Sequence, residues 1–130
     1  MEKQKRPYQP TDSELEILQV LWIHGPSTVR FVNDLLNTKK KTGYTTTLKL
    51  MQIMTEKELL NRDNSSRIHI FSPAVKEEET QTKIIDKMLG LAFGGSASKL
   101  VLQTLGNNKT SPEELEKIKQ LITDLEKKRK

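Results

Sequence analysis

The spacing of apolar residues changes after Glu58, and that change limits the fold more than any other feature. Before it, apolar side chains recur every three or four residues, the period of one helix face. Leu15, Leu18, Leu21 and Trp22 form the first such stripe. It begins at Thr11-Asp12-Ser13-Glu14, the spacing of a capping box, and Gly25-Pro26 ends it. Ser27 then offers an N-cap for a second helix carrying Val29, Val32, Leu35 and Leu36, which runs out at Asn37-Thr38. A basic loop, Lys39-Lys40-Lys41-Thr42-Gly43, leads to a third helix that opens at Tyr44-Thr45 and continues through Leu48, Leu50, Met51, Met54 and Leu59. Its Thr45-Thr46-Thr47 opening is poor helix-interior chemistry, but hydroxyls suit a first turn whose backbone donors need partners. Beyond Glu58, Leu60-Asn61-Arg62-Asp63 and Arg67-Ile68-His69-Ile70-Phe71 flank Asn64-Ser65-Ser66. Two short strand-like stretches around a polar turn predict a β-hairpin, closed by Pro73.

The remainder reads as helical. One helix runs from Glu77 to about Phe93 with Ile84, Ile85, Met88 and Leu89, and breaks at Gly94-Gly95-Ser96. A short one carries Leu100, Val101, Leu102 and Leu105 and stops at Gly106-Asn107-Asn108. The clearest helix start in the chain is Ser111-Pro112-Glu113-Glu114, with a capping box, a proline in the first turn and acids at the positive end of the dipole. Leu115, Ile118, Leu121, Ile122 and Leu125 follow it. About 55 residues of helix cannot enclose a good core alone, so these side chains are expected to be buried against a second copy.

The fold class is therefore mainly α with a small β-hairpin. Residues 1–75 follow the order of a winged helix-turn-helix domain, and residues 76–130 form a helical dimerisation region. Dimerisation is assigned to Ile84, Ile85, Met88, Leu89, Leu100, Val101, Leu115, Ile118, Leu121, Ile122 and Leu125.

Composition narrows the function by exclusion. The 130 residues hold no cysteine, which removes disulfides, thiol nucleophiles and thiolate metal sites. No apolar run approaches the roughly 20 residues of a membrane span. The segment Met1-Glu2-Lys3-Gln4-Lys5-Arg6-Pro7 is basic and lacks the apolar stretch of a secretion signal, so the expected compartment is the cytoplasm. His24, at a helix end, and His69, on a strand, have no second ligand at metal-binding spacing, so no metal or cofactor is expected. Trp22 reads as a core anchor. No Ser-His-Asp grouping, phosphate loop or carboxylate pair suggests catalysis.

The net charge of +5 suits a polyanionic partner, and its placement says more. Residues 76–130 owe their positive excess to Lys127-Lys128-Arg129-Lys130, so the rest of the positive charge lies in the N-terminal half. A helix-turn-helix reads the major groove with the start of its second helix. Tyr44, Thr45, Thr46 and Lys49 are accordingly the expected base-reading group. Lys39, Lys40 and Lys41, just ahead of that helix, suit a passing phosphate. Arg62 and Arg67 flank the wing, where either can meet phosphate or a minor groove.

Taken in order, these residues resemble the penicillinase and methicillin-resistance repressor family over about residues 10–126. The resemblance is carried by Pro10-Thr11 to Glu14, Ile17-Leu18, Leu21-Trp22, the Thr45-Thr46-Thr47 helix start, Glu58-Leu59-Leu60-Asn61-Arg62 and Ile70-Phe71-Ser72-Pro73. It extends through Gly94-Gly95 and Lys99-Leu100-Val101-Leu102 to the final Glu/Leu-rich helix. What it implies is a cytoplasmic homodimer on a palindromic double-stranded DNA operator, repressing antibiotic-response (β-lactamase-type) genes and answering to a regulatory protease or membrane sensor. Characterised members are cut in the tail at an Asn-Phe bond, and Gln103-Thr104 stands at the matching position here. The copper-responsive branch uses C-terminal cysteines, which this chain lacks. Some relatives carry arginine where Leu48 aligns, so their operator does not transfer. Two other readings remain open: a winged-helix protein–protein adaptor without DNA binding, and an effector-sensing regulator.

Overall fold

The computed structural model describes residues 9–107 and 109–129; the basic N-terminal segment, Asn108 and Lys130 lie outside the described residues. The chain forms two compact units that divide between Ile84 and Ile85.

In the first unit, α1 (Asp12–His24) starts at its expected cap. Thr11 Oγ1 accepts from the Glu14 N–H at 3.2 Å, and Glu14 Oε1 accepts from the Thr11 N–H at 2.9 Å. Gly25, at φ 84°, ends the helix by donating its N–H to the Leu21 carbonyl. The helix buries Glu14, Ile17, Leu18 and Leu21.

α2 (Val29–Leu36) is capped by Thr28, whose Oγ1 accepts from the Phe31 N–H at 3.1 Å, and not by Ser27 as the sequence suggested. An N-cap carbonyl must accept the first helical bond, and that of Ser27 is already taken. Ser27 forms an antiparallel bridge with Phe71, exchanging backbone bonds of 2.9 and 2.8 Å.

α3 (Tyr44–Glu56) is capped at Gly43 without any side-chain hydrogen bond, so its threonines do not cap it. Thr47 is instead fully buried and accepts from Asn33 Nδ2 at 2.8 Å. The helix also stops short of Leu59. Glu58 sits at φ 65°, and the Leu59 N–H reaches back to the Met54 carbonyl at 2.8 Å. Leu59 leaves the helix yet stays in the core.

β1 (Leu60–Asp63) and β2 (Ile70–Pro73) pair antiparallel, with Arg62 opposite Phe71. The second strand begins at Ile70, so Arg67, Ile68 and His69 belong to the connecting loop, contrary to expectation. Local side-chain bonds hold that loop out of the ladder: Asp63 Oδ1 accepts from the Ser65 N–H at 2.9 Å, and Ser66 Oγ donates to the Ile68 carbonyl at 2.9 Å. The Ser65 bonds hold the Asp63 carboxyl below its ordinary range. A carboxyl that titrates lower in the folded state stabilises it above the unfolded carboxylate pKa, and loses that contribution as pH falls through the folded value.

The core joins all of these elements: Ile17, Leu18 and Leu21 pack with Val29, Val32, Met51, Met54, Leu59, Leu60 and Phe71. Trp22 packs against its edge and donates Nε1–H to the Val75 carbonyl at 3.1 Å. Three helices and a hairpin extended by the Ser27 bridge make a winged helix domain.

One buried charge locks it. The Glu14 side chain is 3% exposed, and both its oxygens lie 2.8–2.9 Å from Lys57 Nζ at the end of α3. Removing Lys57 strands a buried carboxylate, so Lys57→Ala is expected to cost about 3 kcal/mol in denaturant unfolding. A loss below about 1 kcal/mol would show that water reaches Glu14 in solution.

α4 (Glu77–Ala92) opens with three glutamates in its first turn and carries the unit division. In the second unit, Gly94 and Gly95 turn the chain at φ 56° and 80° into α5 (Ala97–Asn107), where Ser96 Oγ accepts from the Lys99 N–H. α6 (Pro112–Lys128) has the expected capping box between Ser111 and Glu114. Neither α5 nor α6 buries a residue.

Candidate nucleic-acid interface

A helix turns 100° per residue, which divides α3 into faces. Thr47, Met51 and Met54 point into the core. Thr45, Thr46, Lys49 and Gln52 are exposed on the other side. Because Gly43 supplies no capping side chain, the first turn of α3 has no side-chain cap.

Two concavities flank this ridge. Between the start of α2, α3 and the wing lies a groove of about 700 Å³, lined among others by Thr28, Arg30, Tyr44, Leu48, Arg62, Arg67 and His69. Between α1, the lysine turn and α3 lies a cleft of about 560 Å³, to which Lys39, Lys40, Lys41 and Thr46 contribute. The sequence-derived residues therefore separate. Tyr44, Arg62 and Arg67 border the wing groove; Lys39, Lys40, Lys41 and Thr46 border the cleft; Thr45 and Lys49 stand on the exposed ridge.

Sequence reasoning missed Thr28, Arg30 and Gln52. Arg30 Cζ lies 5.2 Å from the centre of the Tyr44 ring, a cation–π distance. The pair joins two helices across 14 positions of sequence, so no local pattern reveals it. Among the described residues, Arg30, Lys39, Lys40, Lys41, Lys49, Arg62 and Arg67 form no ion pair. Cations without acidic partners on both flanks of a polar helix suit a ligand with negative charge on either side of a central groove.

The histidines sit apart. His24 meets Phe31 edge to face at 5.3 Å, whereas His69 borders the wing groove. Among the described residues no cluster of three His, Asp or Glu could hold a metal.

Most of the apolar residues assigned to dimerisation are solvent-facing within their own unit. Ile85 and Met88 are exposed, as are Val101, Leu115, Leu121, Ile122 and Leu125. Leu89, Leu100 and Ile118 are half-buried. Ile84 stands apart from this group, lining a small pocket of the first unit with Leu59 and Val75. Gln103 and Thr104 are exposed on α5, with Thr104 Oγ1 bonded to the Leu100 carbonyl at 2.8 Å. No helix among the described residues is long and apolar enough to cross a membrane.

The fold and this face define a winged-helix protein of the regulatory kind, with an appended helical segment. Residues 10–124 match the family described as penicillinase repressor, and the chain belongs to that family of transcriptional repressors, whose members are not enzymes. It is 24% identical over 127 residues to a penicillinase repressor of Bacillus licheniformis, covering 97% of this chain and 98% of the relative. It is 22% identical over 116 residues to one of Staphylococcus aureus, covering 89% and 92% respectively.

Proposed function

We propose that this chain works in the cytoplasm as a homodimer that binds a palindromic DNA operator and represses antibiotic-response genes of the β-lactamase type. α3 enters the major groove, and the α3 helices of the two copies meet the duplex about 10 base pairs apart. Thr45, Thr46 and Lys49 read base edges. Lys39, Lys40 and Lys41 hold phosphates on one flank, and Arg30, Arg62 and Arg67 hold them on the other. The observation that carries this reading is the exposed polar face of α3 with unpaired cations on both sides. An adaptor that docks apolar partners has no use for that arrangement.

The test is selection of a duplex from a random pool, followed by anisotropy titrations across salt concentrations. A palindrome should emerge, and its affinity should fall about 10³-fold or more between 50 and 200 mM salt for six or more phosphate contacts. Salt-insensitive binding, or selection that yields no preferred sequence, contradicts the proposal and favours the adaptor. The double variant Thr46→Ala, Lys49→Ala should lose about 1–3 kcal/mol of preference for the selected duplex, with the dimer intact by sedimentation.

A further inference from the structure

We infer that Asn37 is a positioning residue for sequence reading, holding the lysine turn and the start of α3 at one fixed spacing; this rests on the DNA-binding proposal above.

Asn37 is exposed at the C-terminal cap of α2, yet its side-chain amide reaches four hydrogen-bond partners, one of its two N–H groups being shared between the two Asn33 oxygens. Nδ2 donates to the Asn33 carbonyl at 2.8 Å, to Asn33 Oδ1 at 3.2 Å and to the Thr42 carbonyl at 2.9 Å. Oδ1 accepts from the Thr42 N–H at 2.9 Å. The side chain thus grips both backbone groups of a residue five positions on, and closes residues 38–41 into a pinned turn. Asn33 continues the connection inward. Its Nδ2 donates to the Thr42 carbonyl at 3.0 Å and to Thr47 Oγ1 at 2.8 Å. One run of hydrogen bonds therefore links the last turn of α2, the lysine turn and the first turns of α3.

The two ends of the run differ in burial. Asn33 and Thr47 are 6% and 0% exposed, so their bonds belong to the fold. Asn37 lies outside the core, and its bonds add only constraint on the turn. Phosphate contacts set a protein's register on the duplex, while base contacts choose the sequence. The two cooperate only if the groups making them keep a constant separation; a loose turn must be ordered at the moment of binding. Lysines on such a turn still find phosphates on any duplex. What is lost is the agreement between their register and that of Thr45, Thr46 and Lys49.

The test compares wild type, Asn37→Ala and Asn37→Asp on the duplex enriched from the random pool and on a scrambled duplex of equal length. Aspartate keeps the acceptor for the Thr42 N–H and loses the donor to the Thr42 carbonyl. Asn37→Ala is expected to bind the scrambled duplex within twofold of wild type, with the same salt slope, and the selected duplex about tenfold more weakly. Asn37→Asp should lie between. Exchange of the Thr42 amide proton should quicken in Asn37→Ala and much less in Asn37→Asp. An unchanged ratio of the two affinities overturns the inference. So does a parallel loss on both duplexes that tracks a fall in Tm, or failure of both variants to fold, since Asn37 would then be a stability residue. Wild-type protein with no preference among duplexes removes the DNA-binding proposal itself, whereas a wild-type preference that Asn37→Ala preserves removes this inference alone.

Discussion

Placing glutamate in the apolar stripe of α6, as Leu121→Glu with Leu125→Glu, is expected to convert the protein to a monomer and lower its affinity for a palindromic duplex about a hundredfold or more. In the single chain these side chains are 57% and 52% exposed, so the substitutions should barely alter the fold of one copy. If Val101, Leu115, Ile118, Leu121, Ile122 and Leu125 are covered by a second copy, each new carboxylate is buried without a partner, at several kcal/mol apiece. The loss at the operator is larger than the loss of any one contact. Joining two reading helices turns the second binding event into an intramolecular one, worth 10²- to 10⁴-fold. Sedimentation velocity and anisotropy together check both parts. A double variant that stays dimeric removes α6 from the interface; a monomer that keeps full affinity removes the need for a dimer at all.

The triple substitution of Lys39, Lys40 and Lys41 by Ala should act quite differently. Each phosphate contact contributes about 0.9 to the log–log salt slope on B-DNA. Three contacts per copy would make the slope shallower by roughly 5 for a dimer. At 0.1 M salt, affinity should fall at least a hundredfold, and by the same factor on selected and scrambled duplexes, because phosphates carry no sequence information. None of the three lysines is buried or ion-paired among the described residues, so Tm should hold. A loss confined to the selected duplex would mean that the turn reads bases. An unchanged slope would place the phosphates elsewhere, with the wing groove and its Arg30, Arg62 and Arg67 as the next site to remove.

The separation of the candidate residues between the two concavities was only partly legible in the sequence. Lys39, Lys40 and Lys41 stand out as a run, and Thr45 and Lys49 follow from the helix start they flank. Thr46 looked equivalent to Thr45, but the 100° step between them places it on the α1 side, bordering the lysine cleft. Thr47 read as a first-turn hydroxyl serving backbone donors and is a core residue bonded to Asn33. Arg30 gave no signal, since its partner Tyr44 lies on another helix. Asn37 read as a helix end, which it is, but its hold on Thr42 depends on the path of the turn.

The amino-acid sequence by itself determined the order of elements and most of their starts. Helical spacing, the two capping boxes and the glycine stops act within a few residues, and such local terms need no knowledge of the rest of the chain. It also set family membership, because a long ordered set of matches over residues 10–124 survives where no single one is diagnostic. Tertiary structure decided what depends on partners far along the chain. Phe71 claims the backbone of Ser27 and moves the α2 cap to Thr28; Asn33 draws Thr47 inward; Lys57 makes the Glu14 carboxylate fit for burial. In each case local sequence leaves the placement of a backbone or side-chain group open. The one adopted is fixed by a hydrogen-bond partner that only the folded chain brings within about 3 Å.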